Sequence, residues 1–436
     1  MAFTFTGGIH PKEHKNTKNK KIERLTAPKT VSIPLSQHIG APCKATVKPG
    51  DTVTKGQVIG IVQDGLGVPV HSSISGTVKQ IITKRMPDDR AIESIVIEND
   101  FNDTLCPDIK PCETPLKDLT SDEIIERIRL AGISGMGGAT FPTYAKISSA
   151  INKVDTMIIN CCECEPYICA NHRLMLEDPK SIIGGATILL KALGLRTCSI
   201  AVENNKMDAV AALKNEIGSS NMFNVCIMET KYPQGDERQI IYALKNIEVP
   251  AGKLPADVGC IVFNAETCSA VYKAFAYGMP LIERILTVDG DCIAKPKNVL
   301  VPIGASYLDL IEFCGGLRAN VKKLVNGGPM MGAAQWDIEG SVTKGTSAVL
   351  VMSAKETPTY TADGVCIRCG TCVRACPMHL YPSYLAMFAR NDAFEECKNY
   401  DVMSCVECGS CTYGCPGGVP IVQLIRSAKV RVRAMK

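Results

Sequence analysis

Residues 1–30 carry neither the 3.6-residue apolar period of a helix nor the alternation of a strand, and they are rich in lysine, so an arm rather than a domain is predicted there. From residue 31 to about 99, short β-rich runs alternate with turn signals at Lys48-Pro49-Gly50-Asp51, Lys55-Gly56-Gln57, Asp64-Gly65 and Ser75-Gly76, the pattern of a small all-β unit. Cys, Pro and acidic residues cluster without period at 107–115 and mark a linker. A helix then starts at a capping box, Thr120 with Glu123, shows Ile124, Ile125 and Ile128 on one face, and meets Gly132 at its end. After a glycine-rich string, candidate strands at 156–161, 198–202, 225–229 and 260–264 interleave with candidate helices near 179–193, 207–217, 236–245 and 268–277. That alternation predicts a doubly wound, mostly parallel α/β sheet, with its ligand crevice at the carboxyl ends of the strands. Residues 281–352 return to short β runs with one helical stretch at 307–314, a small α+β unit, and 360–436 hold the cysteine motifs.

Composition narrows the picture. With 436 residues, 46% hydrophobic and 21% charged, the chain is globular and long enough for several cores, which excludes disordered, collagen-like and coiled-coil classes. The net charge is +4, and residues 1–30 hold seven Lys/Arg against two Glu, so a near-neutral body follows a basic arm. This argues against nucleic acid as a partner. No apolar run approaches the ~18–20 residues of a membrane span, and the opening residues lack the order of a signal peptide, so a soluble, cytoplasmic protein is expected. The 22 cysteines then read as thiolate ligands in a reducing compartment rather than as disulfides.

Eight of them form the clearest motif. Cys366-x2-Cys369-x2-Cys372-x3-Cys376-Pro377 recurs 39 positions on as Cys405-x2-Cys408-x2-Cys411-x3-Cys415-Pro416. Three thiolates at this spacing wrap one cubane, and the fourth cysteine of each run ligates the other cluster. The expected sets for two [4Fe-4S] clusters are Cys366, Cys369, Cys372 with Cys415, and Cys405, Cys408, Cys411 with Cys376. Zinc sites usually show two separated cysteine pairs, so the double pattern favours iron–sulfur. A cubane carries one electron at a time, and a donor and an acceptor are therefore implied.

The string Gly132-Ile133-Ser134-Gly135-Met136-Gly137-Gly138-Ala139-Thr140-Phe141-Pro142 precedes a helix, where backbone amides and the helix dipole suit a phosphate. It misses the last glycine of the dinucleotide fingerprint and follows a helix rather than a strand, so phosphate binding and an ordinary turn both remain open. Lys146 is either a phosphate partner or a solvated lysine. Just past a predicted strand, Asn160-Cys161-Cys162-Glu163-Cys164-Glu165 offers carboxylates for ribose hydroxyls. Cys161, Cys162, Cys164 and Cys169 lack cluster spacing and read as buried or site-lining thiols. Asp236-Glu237 and Asn264-x-Glu266-Thr267 are each as readily helix caps as ligands.

Together, Thr6-Gly7-Gly8-Ile9-His10-Pro11, Pro34-Leu35-Ser36-Gln37-His38-Ile39-Gly40-Ala41-Pro42, Glu163-Cys164-Glu165-Pro166-Tyr167, Lys231-Tyr232-Pro233-Gln234-Gly235, Pro255-Ala256-Asp257-Val258-Gly259 and Gly327-Gly328-Pro329-Met330-Met331-Gly332 resemble the RnfC subunits of ion-translocating Rnf complexes, nearly end to end. The middle is also similar to the flavin subunit of respiratory complex I. The resemblance implies a basic arm (1–30), a lipoyl/biotinyl-like barrel-sandwich domain (31–100), an FMN/NAD-binding α/β domain (118–280), a β-grasp soluble-ligand-binding domain (281–352) and a helical two-cluster ferredoxin-like domain (360–436). The barrel reads Asp64-Gly65-Leu66-Gly67 where a modified lysine would stand, so no swinging arm can attach. The resemblance further implies FMN at Gly135, Gly137, Gly138, Lys146, Asn160, Glu163, Tyr232, Asn264 and Thr267, and NAD(H) beside Gly138, Phe141, Glu165, Asp236 and Glu237. The sequence departs from the flavin-subunit pattern at Ser134, Cys162 and Cys164. The implied function is a peripheral NAD-dependent oxidoreductase subunit on the cytoplasmic face of a membrane, passing electrons between NAD(H), FMN and two clusters, with membrane and peripheral Rnf subunits as partners and ferredoxin reached indirectly. A protein of this kind feeding a soluble or cobalamin reductase, and a ferredoxin-like relay without flavin, are the alternatives.

Overall fold

In the computed structural model, which describes residues 2–85, 90–357 and 364–435, four strands form the predicted parallel sheet. The chain enters at Thr156–Asn160, steps outward through Cys198–Glu203 and Phe223–Met228, then returns to add Cys260–Asn264 on the other side of the first strand. The strand order therefore reverses at Thr156–Asn160, where such a sheet opens its ligand crevice. Both faces are covered by helices, so Ile158, Ile159, Ile200 and Val202 are wholly buried. The helix Pro179–Leu193 starts on Asp178, whose side chain accepts from the Ser181 amide at 3.2 Å, and stops at the left-handed Gly194. Gly185 lets it lie directly on Ala265–Ala276: a Cβ there would stand 1.8 Å from the Cys268 carbonyl oxygen.

A barrel-sandwich of a four-stranded and a three-stranded sheet precedes this unit, with Val31, Ile33, Ile59, Ile95 and Ile97 at its centre. A six-stranded mixed sheet follows it, built on Glu283–Asp289 and flanked by the helix Tyr307–Phe313. The cysteine motifs lie in a helical unit made of Thr371–Ala375, Pro382–Arg390, Phe394–Asn399, Ser410–Tyr413 and Ile421–Ala434. Positions 360 and 436, the limits expected for that unit, lie outside the described residues. No helix among the described residues is long and apolar enough to cross a membrane.

The N-terminal segment differs from the free arm that its composition suggests. Phe3 pairs in parallel with Met228 at the sheet edge, and Ile9 pairs with Tyr232. Ile22–Arg24 forms a strand parallel to Lys297–Pro302 in the six-stranded sheet. Thr17 is fully buried against Asn298, whose amide donates to the Thr17 carbonyl at 2.8 Å. Its lysines answer backbone carbonyls and carboxylates of the body rather than solvent alone: Lys20 reaches the Pro296 carbonyl, and Arg24 pairs with Glu283. The segment thus laces three units together. A second tie is Lys344, fully enclosed, which donates to the carbonyls of Pro69 in the barrel and Gly132 in the α/β unit at 2.9 and 2.7 Å.

Candidate functional site

The glycine string closes on itself at the switch point. Gly135 N–H donates to the Phe141 carbonyl at 2.8 Å, Ser134 bridges Pro142, and Met136 N–H donates to Thr267 Oγ1 at 3.0 Å. Gly137 then passes Asn264, and Gly138 turns outward at φ +110° with no atom within 4 Å of where a Cβ would stand. Among the described residues, the amides of Gly137, Gly138, Ala139 and Thr140 have no hydrogen-bond partner. Bare amides over open space, followed by the N-terminus of Thr143–Ala150, make an anion cradle. The cradle fits the phosphate end of a flavin mononucleotide. Lys146, one turn into the helix, is held by Glu237 at 3.2 Å and lies 5.8 Å from the Phe263 ring centre.

The strand ends supply polar groups on either side. Asn160 and Asn264 are register partners on adjacent strands. Asn160 Nδ2 donates to the Gly235 carbonyl at 2.8 Å, which brings the 231–237 loop to the crevice, and Asn264 Oδ1 caps Ala265–Ala276 through the Glu266 amide. Asp236 caps Glu237–Lys245 by accepting from the amides of Arg238 and Gln239, and burial pushes its carboxyl up to about 6. The two glutamates of the strand-end string part company. Glu163 turns away from the loop and accepts from the amides of Asn171 and His172 at 2.7 and 3.2 Å, capping Ala170–Glu177. Glu165 accepts from Met330 and Met331 amides at 3.1 and 2.9 Å, joining the crevice to the Gly327-to-Gly332 loop, and burial lifts its carboxyl to about 7.

Sequence reasoning missed Lys15. Its ammonium donates to the carbonyls of Glu163, Glu165 and Ile168 at 2.8, 2.9 and 2.5 Å, so it pins the whole strand-end string from the N-terminal segment. A lone lysine in a polar run gives no periodic or spacing signal of such a contact. Ile39 of the barrel also reaches the site, donating to the Thr140 carbonyl at 3.2 Å.

In the cysteine unit, Cys376, Cys405, Cys408 and Cys411 line one cavity of about 350 Å³, walled otherwise by apolar groups including Leu380, Val422 and Ile425. Burial lifts the Cys405 thiol to about 11, and Cys411 is pushed up further by burial and by Cys408, Cys405 and Cys376 facing it. Four thiolates converging in an apolar cavity need a cationic centre to stay ionised together, and an iron–sulfur cluster fits that donor set. Among the described residues no three His, Cys, Asp or Glu side chains converge closely enough for a single ion. Of the other set, Cys366 and Cys369 are exposed, Cys372 is buried and Cys415 half-buried. Tyr232 links the two regions: it is 1% exposed, and its hydroxyl donates to the Cys408 carbonyl at 2.7 Å.

Comparison with known proteins agrees with this architecture. Residues 3–102 match the RnfC barrel sandwich hybrid domain, 128–273 the Nuo51 FMN-binding domain, 285–334 the SLBB domain and 362–419 the 4Fe-4S dicluster domain. The NAD+-reducing [NiFe]-hydrogenase in its H2-reduced state shares the fold, with a TM-score of 0.51 and 18% identity over 74% of this chain and 64% of that one. Fold and site define a flavin- and iron–sulfur-dependent electron-transfer protein. The chain is 41% identical to the RnfC component of the Na(+)-translocating ferredoxin:NAD(+) oxidoreductase complex of Acetobacterium woodii, over 99% of this chain and 98% of that one. It is 42% identical to the same component of the proton-translocating complex of Clostridium ljungdahlii, over 100% and 95%. The corresponding component of the ion-translocating oxidoreductase complex of Serratia proteamaculans is 38% identical over 99% of this chain and 61% of its own length. This chain belongs to the RnfC family, a component of the ion-translocating ferredoxin:NAD+ oxidoreductase (Rnf) complexes.

Proposed function

We propose that this chain is the peripheral subunit of a membrane-bound ferredoxin:NAD+ oxidoreductase that couples electron flow to Na+ or H+ translocation, exchanging reducing equivalents with NAD(H) at the cytoplasmic face. Bound flavin supplies the exchange between paired and single electrons, and the clusters conduct single electrons. The reading is carried by one juxtaposition: an open glycine cradle at the strand switch point and a cavity ringed by four cluster cysteines, with Tyr232 touching both regions.

The chain's own residues have separable tasks. The amides of residues 137–140 and the Lys146 ammonium hold the phosphate end of the flavin, while Asn160, Asn264 and Thr267 fix the floor on which it lies. Glu165, Asp236 and Glu237, with Phe141, face the nicotinamide side. Glu163 contributes by fixing the backbone of that wall rather than by direct contact. The Cys376, Cys405, Cys408 and Cys411 set is enclosed, whereas Cys366 and Cys369 are exposed. Electrons accordingly pass to or from partner subunits at the exposed cluster, and ferredoxin is reached through those partners.

The test is cofactor analysis of the reconstituted full chain together with NADH-driven bleaching. Flavin, iron and sulfide should be retained, and NADH should bleach flavin and cluster absorbance. Retained iron and sulfide with no flavin under any preparation, or no bleaching by NADH, overturns the reading.

A further inference from the structure

We infer that Tyr232 and residues 6–9 of the N-terminal segment are positioning residues that hold the cluster of Cys376, Cys405, Cys408 and Cys411 against the flavin crevice, making it the first cluster of the relay. This rests on the function proposed above and adds the order of the two clusters and the residues that impose it.

The N-terminal segment lies between the two regions and is bonded to both. On one side, Ile9 and Tyr232 exchange both backbone hydrogen bonds, Ile9 N–H to Tyr232 O at 2.8 Å and Tyr232 N–H to Ile9 O at 2.9 Å. On the other, Gly8 N–H donates to the Ala375 carbonyl at 3.0 Å, one residue from a cluster cysteine. Gly7 sits at φ +83°, and a Cβ there would stand 2.8 Å from the Cys376 carbonyl oxygen, so the approach is open to glycine alone. Tyr232 adds a side-chain bond to the same cluster, through the Cys408 carbonyl. A buried phenol must find an acceptor, and this one finds it in the cysteine motif rather than in its own domain. Gln239, on the helix that Asp236 caps, reaches Met378 Sδ at 3.4 Å beside the same cavity. The 231–237 loop is meanwhile tied to the crevice by Asn160. One short path therefore runs from the flavin crevice through Tyr232 to the ligands of one cluster. Because electron tunnelling falls steeply with distance, fixing this separation sets the rate of the flavin-to-cluster step.

The test uses the full chain reconstituted with FMN, iron and sulfide. Cys408→Ser and Cys369→Ser first assign the two cluster signals in electron paramagnetic resonance by removing one each. Tyr232→Phe should then retain all three cofactors, remain fully reducible by dithionite, shift the signal and midpoint potential of the cluster that Cys408→Ser removes, and slow cluster bleaching by NADH about tenfold, the order expected from one lost hydrogen bond. Gly7→Ala, which presses on the Cys376 carbonyl, should shift that same signal. Unshifted signals with unslowed bleaching in both variants overturn the inference. So does a shift confined to the signal that Cys369→Ser removes, and so does loss of flavin from Tyr232→Phe with both cluster signals intact. Failure of NADH to bleach the unsubstituted chain would instead overturn the proposed function.

Discussion

Replacing Lys15 by methionine keeps most of the aliphatic stem and removes three donors from a string that carries Glu163 and Glu165. The three acceptors, the carbonyls of Glu163, Glu165 and Ile168, lie at 2.8, 2.9 and 2.5 Å and are partly buried. A hydrogen bond to a charged group contributes about 1.5–3 kcal/mol, but one ammonium shared by three acceptors is not additive and water replaces part of it, so about 2–4 kcal/mol is expected. That loss is local, and hydrogen exchange reads it locally. The reporter amides are Tyr167, which donates to the Glu13 carbonyl, and Asn171 and His172, which donate to the Glu163 carboxylate. At those amides the full chain carrying Lys15→Met should exchange about 30- to 1000-fold faster, with amides of the barrel core unchanged. Lys20→Met is the control: Lys20 meets the Pro296 carbonyl at the surface, and its loss should stay within about 0.5 kcal/mol. Exchange within about threefold of the parent at all three amides would refute the reasoning, since the smallest expected loss already exceeds that factor.

Gly138→Val places a branched side chain at φ +110°, where L residues are strained, and fills the open cradle; flavin affinity, followed by fluorescence titration, should fall at least about tenfold. Cys408→Ser and Cys369→Ser should each lower iron from about eight to about four per chain, but only Cys369→Ser should leave NADH able to bleach the remaining cluster. Glu165 supplies a pH dependence. Its folded carboxyl titrates near 7, above the ordinary carboxylate value, because burial disfavours its charge. The folded state then holds a proton the unfolded chain has released, so its stabilising share is full below the unfolded value and is lost as pH rises to about 7. Glu165→Gln should flatten denaturation midpoints across that window.

The parts of the fold that were legible beforehand are those whose information is local. Thr120 and Glu123 form both halves of the expected capping box, and the strand Cys260–Asn264 and the helices Pro179–Leu193 and Met207–Ile217 fall where their apolar periods place them. The helix Ala170–Glu177 escaped notice because its start is fixed by the side chain of Glu163, seven residues before it, and no cap of its own. The N-terminal segment shows the deeper reason. Counted as charges, residues 1–30 look like a solvated arm, yet Lys15 meets the 163–168 string, Lys20 the Pro296 carbonyl and Arg24 the Glu283 carboxylate, all far along the chain. No periodicity encodes a partner more than a hundred residues away. The cysteine sets were legible across a comparable gap only because cluster chemistry demands four thiolates and the spacing leaves one of each run over, so Cys376 had to join Cys405, Cys408 and Cys411. Stoichiometry of that kind constrains a distant pairing, whereas a lone ammonium or a lone phenol has many possible acceptors. Lys15 and Tyr232, which tie the flavin crevice to its surroundings, therefore needed the folded chain to become visible, and they are the two positions where conservative substitution tests the site most directly.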